Sequence, residues 1–112
     1  MCGFVGFVTN KIEIDKPTVI QNMMNTIGHR GPDSDGFHVD GNVTLGFRRL
    51  QIIDLTPDAS QPMFNEDSSI SLIFNGEIYN YQSLMDDLKA KGHVFKSQSD
   101  TEVIIHGYEE YG

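Results

Sequence analysis

The sequence has one cysteine, no tryptophan, and only 8 Lys and Arg against 16 Asp and Glu in 112 residues. A single thiol rules out an intramolecular disulfide and fits a reducing compartment. A formal charge of −8 leaves no basic stripe for a phosphate backbone or an anionic bilayer, so no nucleic acid and no membrane is expected as a partner. Long apolar runs are missing as well. No window reaches transmembrane length, and the run at residues 3–8 is too short for a signal peptide, with Lys11 following it instead of preceding it. A cytoplasmic protein is the expectation. The four histidines (His29, His38, His93, His106) show no H-x-x-x-H or Cys/His spacing, and no glycine-rich phosphate loop occurs. No metal site and no cofactor are therefore expected in this chain.

What is present reads as a single α+β domain. "GFVGFV" at 3–8 is an unbroken apolar run, as in a strand covered on both faces. The period then lengthens. Asp15 can cap a helix, Pro17 fits its first turn, and Val19, Ile20, Met23, Met24 and Ile27 recur at helical spacing until Gly28 or Gly31 ends it. "GFHVDGNVTLGF" reads as a hairpin turning at Asp40-Gly41-Asn42. Residues 52–65 read as a loop, and "SISLIFNGEIYN" as a strong strand breaking at Asn75-Gly76. Asn80 then caps a helix over 81–92 with Leu84 and Leu88 on one face, "HVFKS" is a short strand, and Ser99-x-x-Glu102 is a capping box opening a last helix.

The thiol is placed second. Removal of Met1 would leave Cys2 with a free α-amino group of ordinary pKa about 7.7–8.0, a base a few bonds from the thiol. A buried structural cysteine is the plainer reading, since free cysteine is among the most buried residue types. Asn75-Gly76, a side-chain amide beside an unhindered N–H, offers two donors to one oxygen, as a tetrahedral intermediate requires, although Asn-Gly is also a common turn. Alternation sends Arg48 and Arg49 to opposite faces, so one arginine can clamp a carboxylate in a cleft. Asp100, at a helix start, caps that helix or, with Glu77, binds an ammonium group. A thiol with its own amine, an oxyanion hole, an arginine and two acids together suit hydrolysis of a glutamine side-chain amide.

Six segments, "MCGFVGF", "HRGPD", "RRLQIIDL", "SQPM", "NGEIYN" and "SDTEVI", occur in this order along essentially the whole chain. The sequence thereby resembles the N-terminal glutaminase domain of glutamine-hydrolysing asparagine synthetases, the class II, N-terminal-nucleophile glutamine amidotransferases. The resemblance implies a four-layer α-β-β-α sandwich. It also implies that Cys2 is the nucleophile, that Asn75 and Gly76 form the oxyanion hole, and that Arg49 holds the α-carboxylate of glutamine. Glu77 and Asp100 would hold the α-amino group, and Arg30 with the backbone at Ile52 and Ile53 would shape the pocket. The reaction would release ammonia, pass through a γ-glutamyl thioester and end in glutamate.

Family members usually continue with strands completing the second sheet, and then with a synthetase domain that uses ATP and Mg²⁺ to amidate aspartate. Neither follows here, so the chain is expected to be an N-terminal portion, 1–112, of one glutaminase domain that does not make asparagine alone. Its acceptor partner is then the synthetase domain of a full-length parent. An unfinished sandwich would also expose an apolar face that favours a homodimer. Two other readings remain open at this point: a glutamine-binding or assembly module of weak or no activity, and the amidotransferase portion of a polysaccharide-pathway enzyme.

Overall fold

The computed structural model describes residues 2–31, 34–49 and 60–112. The apolar run forms β1 (Gly3–Val8), which pairs antiparallel with β3 (Val43–Arg49). β3 in turn pairs with β2 (Ser34–Asp40), giving the order β1-β3-β2. The β2–β3 hairpin turns at Gly41, whose φ of +57° suits a residue without Cβ.

Helix α1 (Lys16–Thr26) begins as its sequence indicates. Asp15 Oδ1 accepts from the Thr18 N–H at 3.3 Å and Oδ2 from the Thr18 hydroxyl at 2.8 Å, with Pro17 in the first turn. Of its apolar positions Ile20 and Met24 are fully buried. They rest on Gly46, where a Cβ would come within 2.9 Å of Met24 Sδ and 3.0 Å of Ile20 Cγ1. The glycine lets the helix lie directly on the central strand. A 3₁₀ turn (Gly28–Arg30) follows. Gly31 then seats against the end of β3, where a Cβ would overlap the Arg48 carbonyl and the Arg49 nitrogen.

On the sheet face away from α1 lies a second, two-stranded sheet of β4 (Met63–Phe64) and β5 (Ser71–Leu72). The Phe64 ring meets His38 of β2 edge-on at 4.7 Å. Here the sequence reading needs correction. β4 falls inside the stretch read as loop, of which residues 52–59 lie outside the described residues. The strand expected from Ser69, breaking at Asn75-Gly76, forms a ladder only at Ser71–Leu72. Beyond it, the Gln61 side chain takes over pairing: its Oε1 accepts from the Phe74 N–H at 2.6 Å and its Nε2 donates to the Phe74 carbonyl at 3.1 Å. A side chain has replaced a partner strand.

Helices α2 (Tyr81–Ala90) and α3 (Glu102–Tyr111) pack through Met85, Leu88 and Val103, with Tyr81 and Phe95 at the margin. Asn80 occupies the N-cap position of α2, but its side chain makes no capping bond. α2 closes with a Schellman turn: Gly92, at φ +99°, donates to Lys89 O and His93 donates to Leu88 O. The strand expected at 93–97 does not form, because the N–H groups of Lys96 and Ser97 are taken by the Glu102 carboxylate at 2.9 and 2.8 Å. For the same reason the Ser99–Glu102 capping box is absent. Thr101 is the N-cap, and Glu102 turns back to 96–97 instead of to Ser99.

The described residues thus make a mixed helix-and-strand α+β structure with two small sheets. No described helix is long and apolar enough to cross a membrane.

Candidate active site

Cys2 immediately precedes β1. Continuing the β1–β3 register one step past Gly3↔Arg48 sets Cys2 across from Arg49, and residues directly opposite share a face. That face is the one turned away from α1, because Gly46 and its partner Val5 face the helix. The two arginines therefore separate as alternation requires. Arg48 lies on the helix side and pairs with Asp35 at 2.8 Å. Arg49, 6% exposed, lies on the Cys2 side and donates from Nη1 to the Ser60 hydroxyl at 3.3 Å.

Two of the remaining residues converge on Cys2 from far along the chain. Asn75 Nδ2 donates to the Cys2 carbonyl at 3.0 Å, and Arg30 Nε donates to the same oxygen at 3.3 Å. Arg30 is delivered by the 3₁₀ turn, whose approach to the sheet depends on Gly31 lacking a side chain. Asn75 is delivered by the Gln61 clamp on Phe74, the residue just before it. Gly76 follows in close contact with Phe74, since a Cβ there would stand 2.8 Å from the ring's Cζ and the ring would have to shift.

Asp100 is buried at the start of α3, and its Oδ2 accepts from the Ile78 N–H at 2.8 Å. This bond ties the last helix to the residue after Glu77, whose own side chain is exposed. Ile52 and Ile53 lie outside the described residues. The structure thus gathers Cys2, Arg30, Asn75 and the Arg49 strand position at one end of the three-stranded sheet, and binds Asp100 to the Asn75–Ile78 stretch.

Sequence reasoning passed over three contributors. Ser60 and Gln61 open the "SQPM" motif, but neither was expected to have a role at the site. A cluster of His93, His106 and Glu109 near the end of α3 went unseen, because twelve residues lie between the two histidines. Its electrostatics are distinctive. Burial raises the Glu109 carboxyl, but hydrogen bonds from Asn65 and His106 and the charges of the two imidazoles outweigh burial and hold it below the usual carboxylate range.

An amide donor and an arginine thus meet at the carbonyl of the cysteine that precedes β1. Residues 1–112 match the family described as glutamine amidotransferase domain, and the chain belongs to that family. Its relatives are more particular. The chain is 50% identical over 115 residues to asparagine synthetase [glutamine-hydrolyzing] 1 of Bacillus subtilis (strain 168), covering 99% of this chain and 18% of that protein. It is 43% identical to the second such synthetase of that organism, over all of this chain and 15% of the relative. To asparagine synthetase [glutamine-hydrolyzing] 2 of Oryza sativa subsp. japonica it is 41% identical, over all of this chain and 19% of the relative. The chain spans less than a fifth of the length of these curated relatives.

Proposed function

We propose that this chain hydrolyses glutamine to glutamate and ammonia through a thioester on Cys2, and that in a full-length parent the ammonia passes to a synthetase domain that makes asparagine. Its fold is then part of the four-layer α-β-β-α sandwich of N-terminal-nucleophile hydrolases. ATP and Mg²⁺ belong to the synthetase domain, not to the residues of this chain.

The observation that carries the reading is the Asn75 amide held 3.0 Å from the Cys2 carbonyl across 73 residues of sequence. An Asn Nδ2 has two N–H donors. One is spent on Cys2, which fixes the amide plane; the other is left to meet the oxyanion, together with the Gly76 N–H. With Met1 removed, the α-amine of Cys2 takes the thiol proton. The thiolate attacks the glutamine side-chain carbonyl carbon, the C–N bond breaks, and the leaving nitrogen takes that proton and departs as ammonia. Water then gives a proton to the amine and its oxygen to the thioester carbon. The C–S bond breaks, glutamate leaves, and the thiol recovers its proton.

Arg49 pairs with the α-carboxylate, releasing Ser60. Asp100 and Glu77 receive the α-ammonium, with Asp100 Oδ2 already engaged by Ile78 and its second oxygen turned to the ligand. Arg30 and the Ile52–Ile53 backbone frame the pocket.

The test is intact-mass spectrometry before and after treatment with a diazo-ketone analogue of glutamine. Loss of Met1 and one adduct on Cys2, suppressed by excess glutamine, is the expected result. Met1 removed with no adduct would instead support a binding or assembly module.

A further inference from the structure

We propose that His93, His106 and Glu109 form a structural binding site for Zn²⁺ or a neighbouring borderline divalent ion, joining the end of α2 to α3. His106 and Glu109 stand one turn apart on α3, so they share a face. His93 is delivered to them by the Schellman turn at Gly92, which reverses the chain directly after α2. The candidate ligand atoms all lie within 4.8 Å of one another. Glu109 Oε1 is 2.9 Å from His106 Nδ1 and 3.7 Å from His93 Nδ1. A tetrahedral zinc with bonds of about 2.0–2.1 Å separates its donors by roughly 3.3 Å, and the two spacings from Glu109 lie on either side of that value.

The outer partners point the same way. Nε2 of His106 meets Glu102 at 2.9 Å and Nε2 of His93 meets Glu110 at 2.9 Å, which turns both Nδ1 atoms toward Glu109. Glu109 is itself held from behind, its Oε2 accepting from Asn65 Nδ2 at 3.2 Å. A carboxylate behind each ligating histidine is the usual outer arrangement of a metal centre. The fourth position is left to water or to Glu66, whose Oε1 lies 3.9 Å from His106 Nδ1. Four carboxylates around two imidazoles make the locality favourable to a cation. Two nitrogen donors select zinc, cobalt, nickel or copper over magnesium or calcium. Bound there, the ion ties α3 to the end of α2 and to the β4–β5 connection that carries Asn65 and Glu66.

The chain, stripped with chelator and dialysed, is titrated with Co²⁺ and Zn²⁺ while absorption and melting temperature are followed. One equivalent of Co²⁺ with tetrahedral d–d bands, displaced by Zn²⁺ and accompanied by a saturable rise in Tm, is expected. His93→Gln should abolish the tight equivalent, and Glu110→Gln should weaken it by about 10–100-fold. His93 is chosen because His106 is buried against Glu102 and its loss endangers folding; circular dichroism of His93→Gln checks that the fold survives. Cys2→Ser should bind the ion unchanged. No uptake, uptake with undiminished affinity in folded His93→Gln, or uptake lost in Cys2→Ser would each overturn the site.

Discussion

At the scale of single residues, the site is organised by what each donor is already doing. Asn75 spends one N–H on the Cys2 carbonyl, which leaves its second donor for the oxyanion in the mechanism proposed above. Asn75→Ala should lower glutamine turnover by about 10²–10³-fold with little change in KM, because the lost bond is made mainly in the transition state. Arg49, in the same proposal, acts on the ground state as well. Arg49→Ala should raise KM for glutamine through loss of a charged hydrogen-bonded pair, about 1.5–3 kcal/mol, and steady-state glutaminase assays of both variants separate the two effects. If Asn75→Ala moved only KM, the oxyanion role would be wrong. The same scale explains why Arg48 is not interchangeable with its neighbour. One position of alternation puts it under α1 against Asp35.

At the scale of elements, the decisive contacts are substitutions of one kind of partner for another. Gln61 does for Phe74 what a neighbouring strand does for β5, and Glu102 does for residues 96–97 what a sheet would have done. Gln61→Leu leaves the Phe74 N–H and carbonyl without their partner. It should cost about 1–3 kcal/mol in urea melts and slow Cys2 alkylation by the glutamine analogue, since Asn75 follows Phe74 directly. Under α1 the opposite opportunity exists. Thr44 is wholly buried on β3, and its hydroxyl has no hydrogen-bond partner among the described residues. Thr44→Val keeps the shape and removes an unpaired buried polar group, so it should raise stability by about 1 kcal/mol or slightly more in the same melts.

For the whole molecule, the three-stranded sheet is covered on one face by α1 and only partly on the other. Phe4, Val8 and Val43 share that second face and are 52%, 74% and 39% exposed. In the sandwich proposed above a second sheet covers them, and in the isolated chain a second copy is the available cover. Sedimentation velocity should show a concentration-dependent dimer that Val8→Asp shifts toward monomer. A monomer at every concentration would remove the homodimer.

Periodicity, caps and turn residues were enough to place β1, α1, the β2–β3 hairpin and the end of α2, because each is stabilised largely by its own residues: Asp15 on Thr18, Gly41 in its turn, Gly92 at its helix end. The start of α2 and helix α3 were placed although the expected Asn80 cap bond and Ser99–Glu102 box do not form. The ordered motifs also named Cys2, Arg49, Asn75 and Asp100; the structure brings Asn75 to the Cys2 carbonyl, sets Arg49 on the same side of the sheet and ties Asp100 to Ile78. Three things depended on tertiary contacts. Whether residues 93–97 and 73–74 became strands was decided by the Glu102 carboxylate and the Gln61 amide, and no local pattern records that a side chain will take the backbone bonds. Which arginine faces Cys2 depended on the β1–β3 register and on the side chosen by α1. The meeting of His93 with His106 and Glu109 depended on α2 reversing at Gly92 to lie against α3. Local interactions act over three or four residues and can be read in order, whereas these partners are chosen by packing between segments far apart in the chain.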